Sequence, residues 1–317
     1  MNIQVSRSFS PFRESGDSQT DYEDWSRLVR RDKGLSWNDL LKKRLIVILG
    51  EAGIGKTYEF QNRVRILAAE DRAAFFLPLN QLDAPDGVRQ ALVEQIDQYE
   101  RWLKNDEAGY FFLDAIDEAR LNSPVAFYKA IRAIRQALGS HLKRVSLYIS
   151  SRITDWSVPG VKDAVREHLV KPLNTALTAD TLIGSPTAKA MEIKLPVAAP
   201  AIDLEVFTLD PLSVEDAKKL AQAFGATPID AFWAQVEEGD YEFLATRPLD
   251  LQWLAARWKQ AQALGTYSEL LEEAVTHRLT ETNPSYVASK AVLSRAQLRE
   301  GAEQLAAACV FSGRAYV

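Results

Sequence analysis

Residues 50–57 read Gly-Glu-Ala-Gly-Ile-Gly-Lys-Thr, which has the spacing GxxxxGK[ST] of a phosphate-binding loop. An apolar run at 45–49 precedes the loop and predicts a buried strand, and a helix-compatible stretch runs from Lys56 to about Ala69. Glycines let the backbone turn tightly, so that its N–H groups can point at phosphate oxygens, and the start of the helix adds positive dipole character there. This setting predicts a site for nucleotide phosphates.

Each loop residue has an expected place in that site. Lys56 is expected to reach the β- and γ-phosphates, and the Thr57 hydroxyl is expected to hold Mg²⁺. The residues that we expect to contact the nucleotide are Gly50, Glu51, Ala52, Gly53, Ile54, Gly55, Lys56, Thr57 and Tyr58. The alternative is a glycine turn with a chance lysine, and the strand and helix around the loop argue against it.

Composition narrows the class of protein. The 317 residues suffice for one large or two ordinary domains, and the net charge of -5 argues against non-specific coating of nucleic acid. Cys309 is the single cysteine, so an intrachain disulfide is excluded and a reducing compartment is the simpler expectation. No apolar run is long enough to span a bilayer, and the N-terminus does not resemble a secretory signal. We therefore predict a soluble, cytoplasmic protein without a membrane partner.

Alternating apolar runs and helical periodicity predict an α/β fold, a parallel sheet with helices on both faces, from 36 to 210. The expected strands are 45–49, 73–79, 110–113, 145–150 and 205–209. Residues 1–35 are polar and predict a flexible N-terminal arm. Residues 153–204 predict an insertion or a long loop, with an unrecognised strand and helix as the alternative. After Pro211 the pattern is all-helical, so 211–317 predict a small helical domain.

Charged side chains follow two of the predicted strands. Asp114 ends the strand at 110–113, and Asp117 and Glu118 come shortly after it. A carboxylate at this place could hold Mg²⁺, and a second one could orient the attacking water. The alternative is an ordinary acidic turn before a helix, because Asp and Glu are also favoured in the first turn of a helix. Arg152 follows the strand at 145–150, where a guanidinium could contact a γ-phosphate or simply face solvent.

Together these motifs resemble those of the NACHT family, within the STAND class of signalling ATPases. The loop matches its Walker A motif, FFLDAIDEA at 111–119 matches its extended Walker B motif, and SLYISSR at 146–152 resembles its sensor-one strand. TRPLDL at 246–251 resembles a helical-domain motif, whose proline, here Pro248, packs near the adenine base. The family usually has glycine where Ala115 stands.

The resemblance implies an ATP- and ADP-binding switch with Mg²⁺ that hydrolyses ATP slowly and forms homo-oligomers on activation, with Glu118, Asp117 and Arg152 in catalysis. It also implies a signalling role, such as bacterial antiviral defence, with the trigger and effector in other domains or proteins. The helical domain at 211–317 is then expected to be truncated, and the chain to be a fragment. Two alternatives stay open: a motor or remodelling ATPase acting on nucleic acid or protein, and a small-molecule kinase.

Overall fold

The computed structural model describes residues 5–12, 34–82, 86–116, 124–175, 202–278 and 293–312. The chain divides into two compact units. Unit 1 comprises Met1–Leu220 together with Thr246–Leu251, and unit 2 comprises Ala221–Ala245 and Gln252–Val317. The boundary therefore falls after Leu220 rather than at the predicted residue 210, and the short segment Thr246–Leu251 belongs to the first unit.

Unit 1 contains a six-stranded sheet. Its strands are β1 Phe9–Pro11, β2 Leu45–Leu49, β3 Ala73–Pro78, β4 Gly109–Asp114, β5 Val145–Ser151 and β6 Glu205–Leu209. Their order across the sheet is β1-β6-β2-β5-β4-β3. Every neighbouring pair is parallel except β1 with β6, which is antiparallel. The predicted α/β fold class is confirmed, and the order places β5 between the loop-bearing strand β2 and the strand β4 that ends in Asp114.

Helices connect and follow these strands. They are α1 Trp37–Leu40, α2 Lys56–Ala69, α3 Gly87–Ala91, α4 Ile96–Lys104, α5 Pro124–Leu138, α6 Ile153–Trp156, α7 Val161–Val165, α8 Val214–Ala223, α9 Ile229–Glu238, α10 Glu242–Ala245, α11 Pro248–Ala261, α12 Tyr267–Arg278 and α13 Arg295–Ser312. The 3₁₀ turns are Leu79–Gln81, Val93–Gln95 and Gly139–Arg144, and Arg166–Val170 forms a π turn. No helix among the described residues is long and apolar enough to cross a membrane.

Both faces of the sheet are buried, since successive side chains of a strand point to opposite faces. In β2, Leu45, Val47 and Leu49 pack with side chains of α4, α5 and α7, whereas Ile46 and Ile48 pack with side chains of α1 and α2. Helices thus cover both faces, as the continuous apolar runs predicted. Full burial of such side chains stabilises the fold by about 1.5–3 kcal/mol each.

The N-terminal segment 5–12 contradicts the predicted flexible arm. Phe9 is fully buried, its ring lies 4.8 Å from that of Trp37, and its backbone exchanges two hydrogen bonds of 2.9 Å with Leu35. The three-residue strand β1 adds an antiparallel edge to β6. A strand this short has no detectable periodicity, which is why the sequence did not predict it. Residues 1–4 and 13–33 lie outside the described residues.

Over 153–175 the structure does not have the expected long loop, and the alternative expectation of a helix fits it better. These residues are mostly helical, and Trp156, Val165 and Leu169 are buried in the sheet core. The π turn Arg166–Val170 comes just before Pro172, which has no N–H to donate to the carbonyl of residue 168. Residues 176–201 lie outside the described part of the chain.

Unit 2 is helical over its described residues. Phe232 and Trp258 are buried, with ring centroids 5.7 Å apart, and the Trp258 indole N–H donates to the carbonyl of Thr227 at 3.1 Å. Tyr241 donates its hydroxyl to the carbonyl of Gly265 at 2.9 Å. Trp258 and Tyr241 thus place their apolar rings in the helical core while their polar groups are hydrogen-bonded.

Candidate phosphate-binding site

The loop at 50–57 joins β2 to α2, as the sequence predicted. Gly53 and Gly55 have φ values of +81° and +99°, in the left-handed region that glycine adopts without steric cost. Ile54 between them is buried and packs in the core beside α2, which anchors the loop. The glycine spacing therefore produces a turn that a chain with β-carbons at these positions would resist.

The lysine of the motif lies folded back on its own loop. The Lys56 ammonium donates to the carbonyl of Gly50 at 2.6 Å and to that of Glu51 at 3.1 Å. Thr57 and Tyr58 are exposed in the first turn of α2. A cation and a hydroxyl thus lie at a helix start, where the helix dipole also favours an anion.

Two consecutive residues of β5 connect the loop to the acidic strand end. The Gly50 N–H donates to the carbonyl of Ser151 at 3.1 Å. The Ser150 hydroxyl donates to Asp114 Oδ1 at 2.5 Å, and Asp114 is only 5% exposed. Arg152 follows directly and caps the start of α6 with extended backbone. The sheet order therefore brings the loop, Asp114 and the strand end before Arg152 to one edge. Asp117 and Glu118 lie outside the described residues.

The segment Thr246–Leu251 contacts the loop within unit 1. The Arg247 guanidinium donates to the carbonyl of Ala52 at 2.6 Å, and the Leu249 N–H donates to the carbonyl of Gly53 at 3.3 Å. The Pro248 ring lies 3.6 Å from where a β-carbon on Gly55 would stand. Pro248, which the motif placed near the base of a nucleotide, thus lies beside the phosphate loop itself.

Arg7 is a site-adjacent residue that the sequence analysis missed. It is 8% exposed, it donates to the carbonyl of Asp210 at 2.7 Å, and its Nη1 lies 3.7 Å from the place that a β-carbon on Gly55 would occupy. Burial lowers the pKa of Arg7, and the charges of Glu59, Asp210 and Asp216 oppose that shift. An arginine has an ordinary pKa so high that it stays charged, so a buried cation stands beside the loop. No local pattern in residues 5–12 indicated it.

Glu59, in the first turn of α2, interacts with the charge of this cation. It is buried and accepts a hydrogen bond of 3.1 Å from the Trp37 indole. Burial raises the pKa of Glu59, while the charge of Arg7, the Trp37 hydrogen bond and the charge of Arg63 lower it. The N-terminal segment and α1 are thereby linked to the helix that begins at the phosphate loop.

The donor set fits Mg²⁺ held together with phosphate oxygens. Among the residues that the structure describes, no group of three or more His, Cys, Asp or Glu side chains could hold a metal ion. Mg²⁺ is usually bound through one or two protein oxygens, water and substrate phosphates, rather than by an all-protein cage. The Thr57 hydroxyl and the buried Asp114 carboxylate are oxygen ligands of the required kind.

The chain matches no protein family model and no curated protein. Among solved structures it is similar to the Walker-type ATPase PABY2304 of Pyrococcus abyssi, with 12% identity and a TM-score of 0.40 over 82% of this chain and 73% of that one. It is also similar to the Orc1 protein of Aeropyrum pernix in complex with DNA, with 12% identity and a TM-score of 0.39 over 89% of this chain and 74% of that one. Likenesses this weak carry no argument about function, so membership in the NACHT family stays a prediction.

Proposed function

We propose that this chain binds ATP and ADP with Mg²⁺ at residues 50–57 and hydrolyses ATP slowly, as a regulatory switch. One observation carries the proposal: the glycine loop and the buried Asp114 share an edge of the sheet, and two consecutive residues of β5 bond to them. A lone glycine turn would have no need of a buried carboxylate at the neighbouring strand end. The loop pattern and this second acidic element support each other.

In this proposal each side chain has a distinct task. The loop N–H groups and Lys56 bind the phosphates, while Thr57 and Asp114 hold Mg²⁺, which when bound neutralises charge on the phosphate oxygens. Arg152 contacts the γ-phosphate, where a planar guanidinium matches phosphate oxygens. Asp117 and Glu118 follow Asp114 in the sequence, and we assign them to orienting the attacking water.

The switch part of the proposal depends on Thr246–Leu251. This segment bonds to the loop carbonyls of Ala52 and Gly53, and Pro248 begins α11. A ligand that moves the loop also moves the two carbonyls that accept these bonds, so the conformation of the loop and the position of the first turn of α11 are linked. We infer that ATP and ADP favour different arrangements of this segment, and that the ATP form self-associates in a signalling role like that of the NACHT family.

The test is calorimetric titration of Mg²⁺–ADP into the wild type, Lys56→Ala and Lys104→Ala. We expect Lys56→Ala to lose about 100-fold or more in affinity, because each charge-assisted hydrogen bond contributes about 1.5–3 kcal/mol. Lys104 is exposed in α4 and its removal is expected to change nothing. Equal affinity of all three proteins would refute binding at the loop. ATP turnover of the wild type should be about 10⁻² s⁻¹ or slower, and turnover near the enzyme median of about 10 s⁻¹ would refute the switch.

A further inference from the structure

The turn that follows β4 has an unusual backbone. Ala115, directly after Asp114, has a φ of +67° and is buried. The left-handed region is unfavourable for a residue with a β-carbon, so the surrounding structure must hold the alanine there. Such strain persists only where neighbouring groups hold the backbone in place.

One hydroxyl group holds both the strained peptide and the acidic side chain. Ser150 is fully buried, its Oγ accepts the Ala115 N–H at 2.8 Å, and it donates to Asp114 Oδ1 at 2.5 Å. A hydroxyl has one proton, so donating it to the carboxylate leaves the oxygen lone pairs to accept the amide. The two bonds therefore fix the directions of the peptide and of the carboxylate relative to one another.

The same strand end also bonds to the phosphate loop. The carbonyl of Ser151 accepts the Gly50 N–H at 3.1 Å, one residue after the Ser150 hydroxyl. Because β5 pairs with β4 over 145–149 and with β2 over 147–151, the two contacts lie on a strand inside the sheet. Ser150 thus lies on the strand that hydrogen-bonds both to the loop and to the turn after β4.

We propose that Ser150 is a positioning residue that fixes the orientation of the Asp114 carboxylate toward a nucleotide-bound Mg²⁺. This inference depends on the proposed function, in which Asp114 holds the metal. Groups that hydrogen-bond to metal ligands typically change metal affinity 10–100-fold when they are removed. Ser150 itself touches neither nucleotide nor metal in this proposal, and it acts through Asp114.

The test measures ADP affinity by calorimetry with Mg²⁺ and with EDTA, for the wild type, Ser150→Ala and Asp114→Asn. We expect Ser150→Ala to lower the affinity for Mg²⁺–ADP about tenfold and to leave metal-free ADP binding within about twofold. The Ser150→Ala/Asp114→Asn double variant should bind Mg²⁺–ADP no more weakly than Asp114→Asn alone, since the serine acts through that carboxylate. Ser146→Ala, near the other end of β5, is the matched control and should behave as the wild type.

A second readout needs no ligand. In the free protein, hydrogen exchange of the Ala115 amide should be faster in Ser150→Ala than in the wild type or in Ser146→Ala. Ser150→Cys replaces Ser150→Ala if the alanine variant does not fold. It keeps a side chain of similar size but is a weak hydrogen-bonding group, so its affinity for Mg²⁺–ADP should also fall about tenfold while metal-free ADP binding stays within about twofold. Ser150→Thr, which keeps the hydroxyl, should bind Mg²⁺–ADP as tightly as the wild type.

The outcomes separate the inference from the function on which it depends. Equal losses with Mg²⁺ and with EDTA would assign Ser150 a merely structural role and overturn the inference. Unchanged Mg²⁺ dependence in Ser150→Ala and Ser150→Cys would also overturn it, while leaving nucleotide binding intact. If the wild type itself binds no ADP in either buffer, the proposed function fails, and the inference fails with it.

Discussion

The phosphate loop after β2 and the turn after β4 lie at the same edge of the sheet, and both use left-handed backbone. In the loop the left-handed residues are Gly53 and Gly55, whereas in the turn the residue is Ala115. Glycine makes the conformation inexpensive but leaves the loop free to change, while alanine at such a φ costs about 1–2 kcal/mol. The two halves of the proposed site are therefore shaped by different physical means.

The contacts that hold the two elements differ accordingly. The loop bonds to β5 at its first residue, Gly50, but Ala52 and Gly53 are contacted by residues far along the chain, Arg247 and Leu249. The turn at Ala115 is held by Ser150 of β5. A strand inside a parallel sheet is among the most rigid supports in a fold, whereas a remote segment can detach at lower cost. We therefore expect Ala52 and Gly53 to form the adjustable part of the proposed site and the peptide at Ala115 to form its fixed part.

Gly53→Ala should have the largest effect, because it removes the freedom on which the loop depends. Alanine at position 53 would have to keep a φ of +81°, and its β-carbon would stand 3.1 Å from the Leu249 side chain. We expect the free energy of unfolding to fall by about 2 kcal/mol, from left-handed strain and crowding together, and the affinity for Mg²⁺–ADP to fall more than about tenfold. Denaturant unfolding and calorimetry measure the two quantities.

Gly301→Ala is the matched control for that change. Gly301 lies inside α13, and no side-chain or remote atom of the described residues comes within 4 Å of the added carbon, so alanine there should stabilise the helix by about 1 kcal/mol. The same chemical substitution thus has opposite signs at the two positions. If Gly53→Ala binds nucleotide like the wild type, the left-handed geometry of the loop is not needed for binding.

Arg247→Met tests whether the remote segment holds the loop. The change removes the bond to the Ala52 carbonyl and the cation that lies 3.3 Å from the buried carboxylate of Asp250. We expect a loss of about 1–2 kcal/mol in unfolding free energy and faster amide exchange in the loop. Arg65→Met, on the exposed side of α2, should stay within about 0.5 kcal/mol of the wild type. Loop exchange that is equal in both variants would show that the segment does not restrain the loop.

Local signals in the sequence predicted the parts of the fold that depend on nearby residues. The apolar run at 45–49 and the glycine spacing of 50–57 identified β2, the loop and the start of α2. The position of Arg7 beside Gly55 could not be predicted, because it depends on β1 pairing with β6 about 200 residues later.

The strained turn also could not be predicted, although the sequence contained a hint of it. The motif resemblance marked Ala115 as a place where glycine is usual, and Ala115 has a φ of +67°, which glycine adopts without steric cost. What the sequence lacked was the order of the strands. Only when β5 is known to lie between β2 and β4 does Ser150 become a partner of Asp114 and Ala115.

Ala115→Gly should have the smallest effect, and its size distinguishes a strained turn from an ordinary one. Relief of left-handed strain should stabilise the fold by about 1–2 kcal/mol, while the lost buried methyl costs about 0.8 kcal/mol and the greater freedom of the unfolded glycine costs about 0.4–1 kcal/mol. These terms nearly cancel, so we expect a change in unfolding free energy near zero.

Ala130→Gly is the reference, because Ala130 is fully buried inside α5 with no strain to release. There the same substitution should cost about 2 kcal/mol, from helix propensity and the lost methyl. Parallel denaturant unfolding of the two variants gives the difference directly. A cost for Ala115→Gly equal to that for Ala130→Gly would mean that the turn stores no strain, and the contrast between a glycine loop and a strained alanine turn would then have to be abandoned.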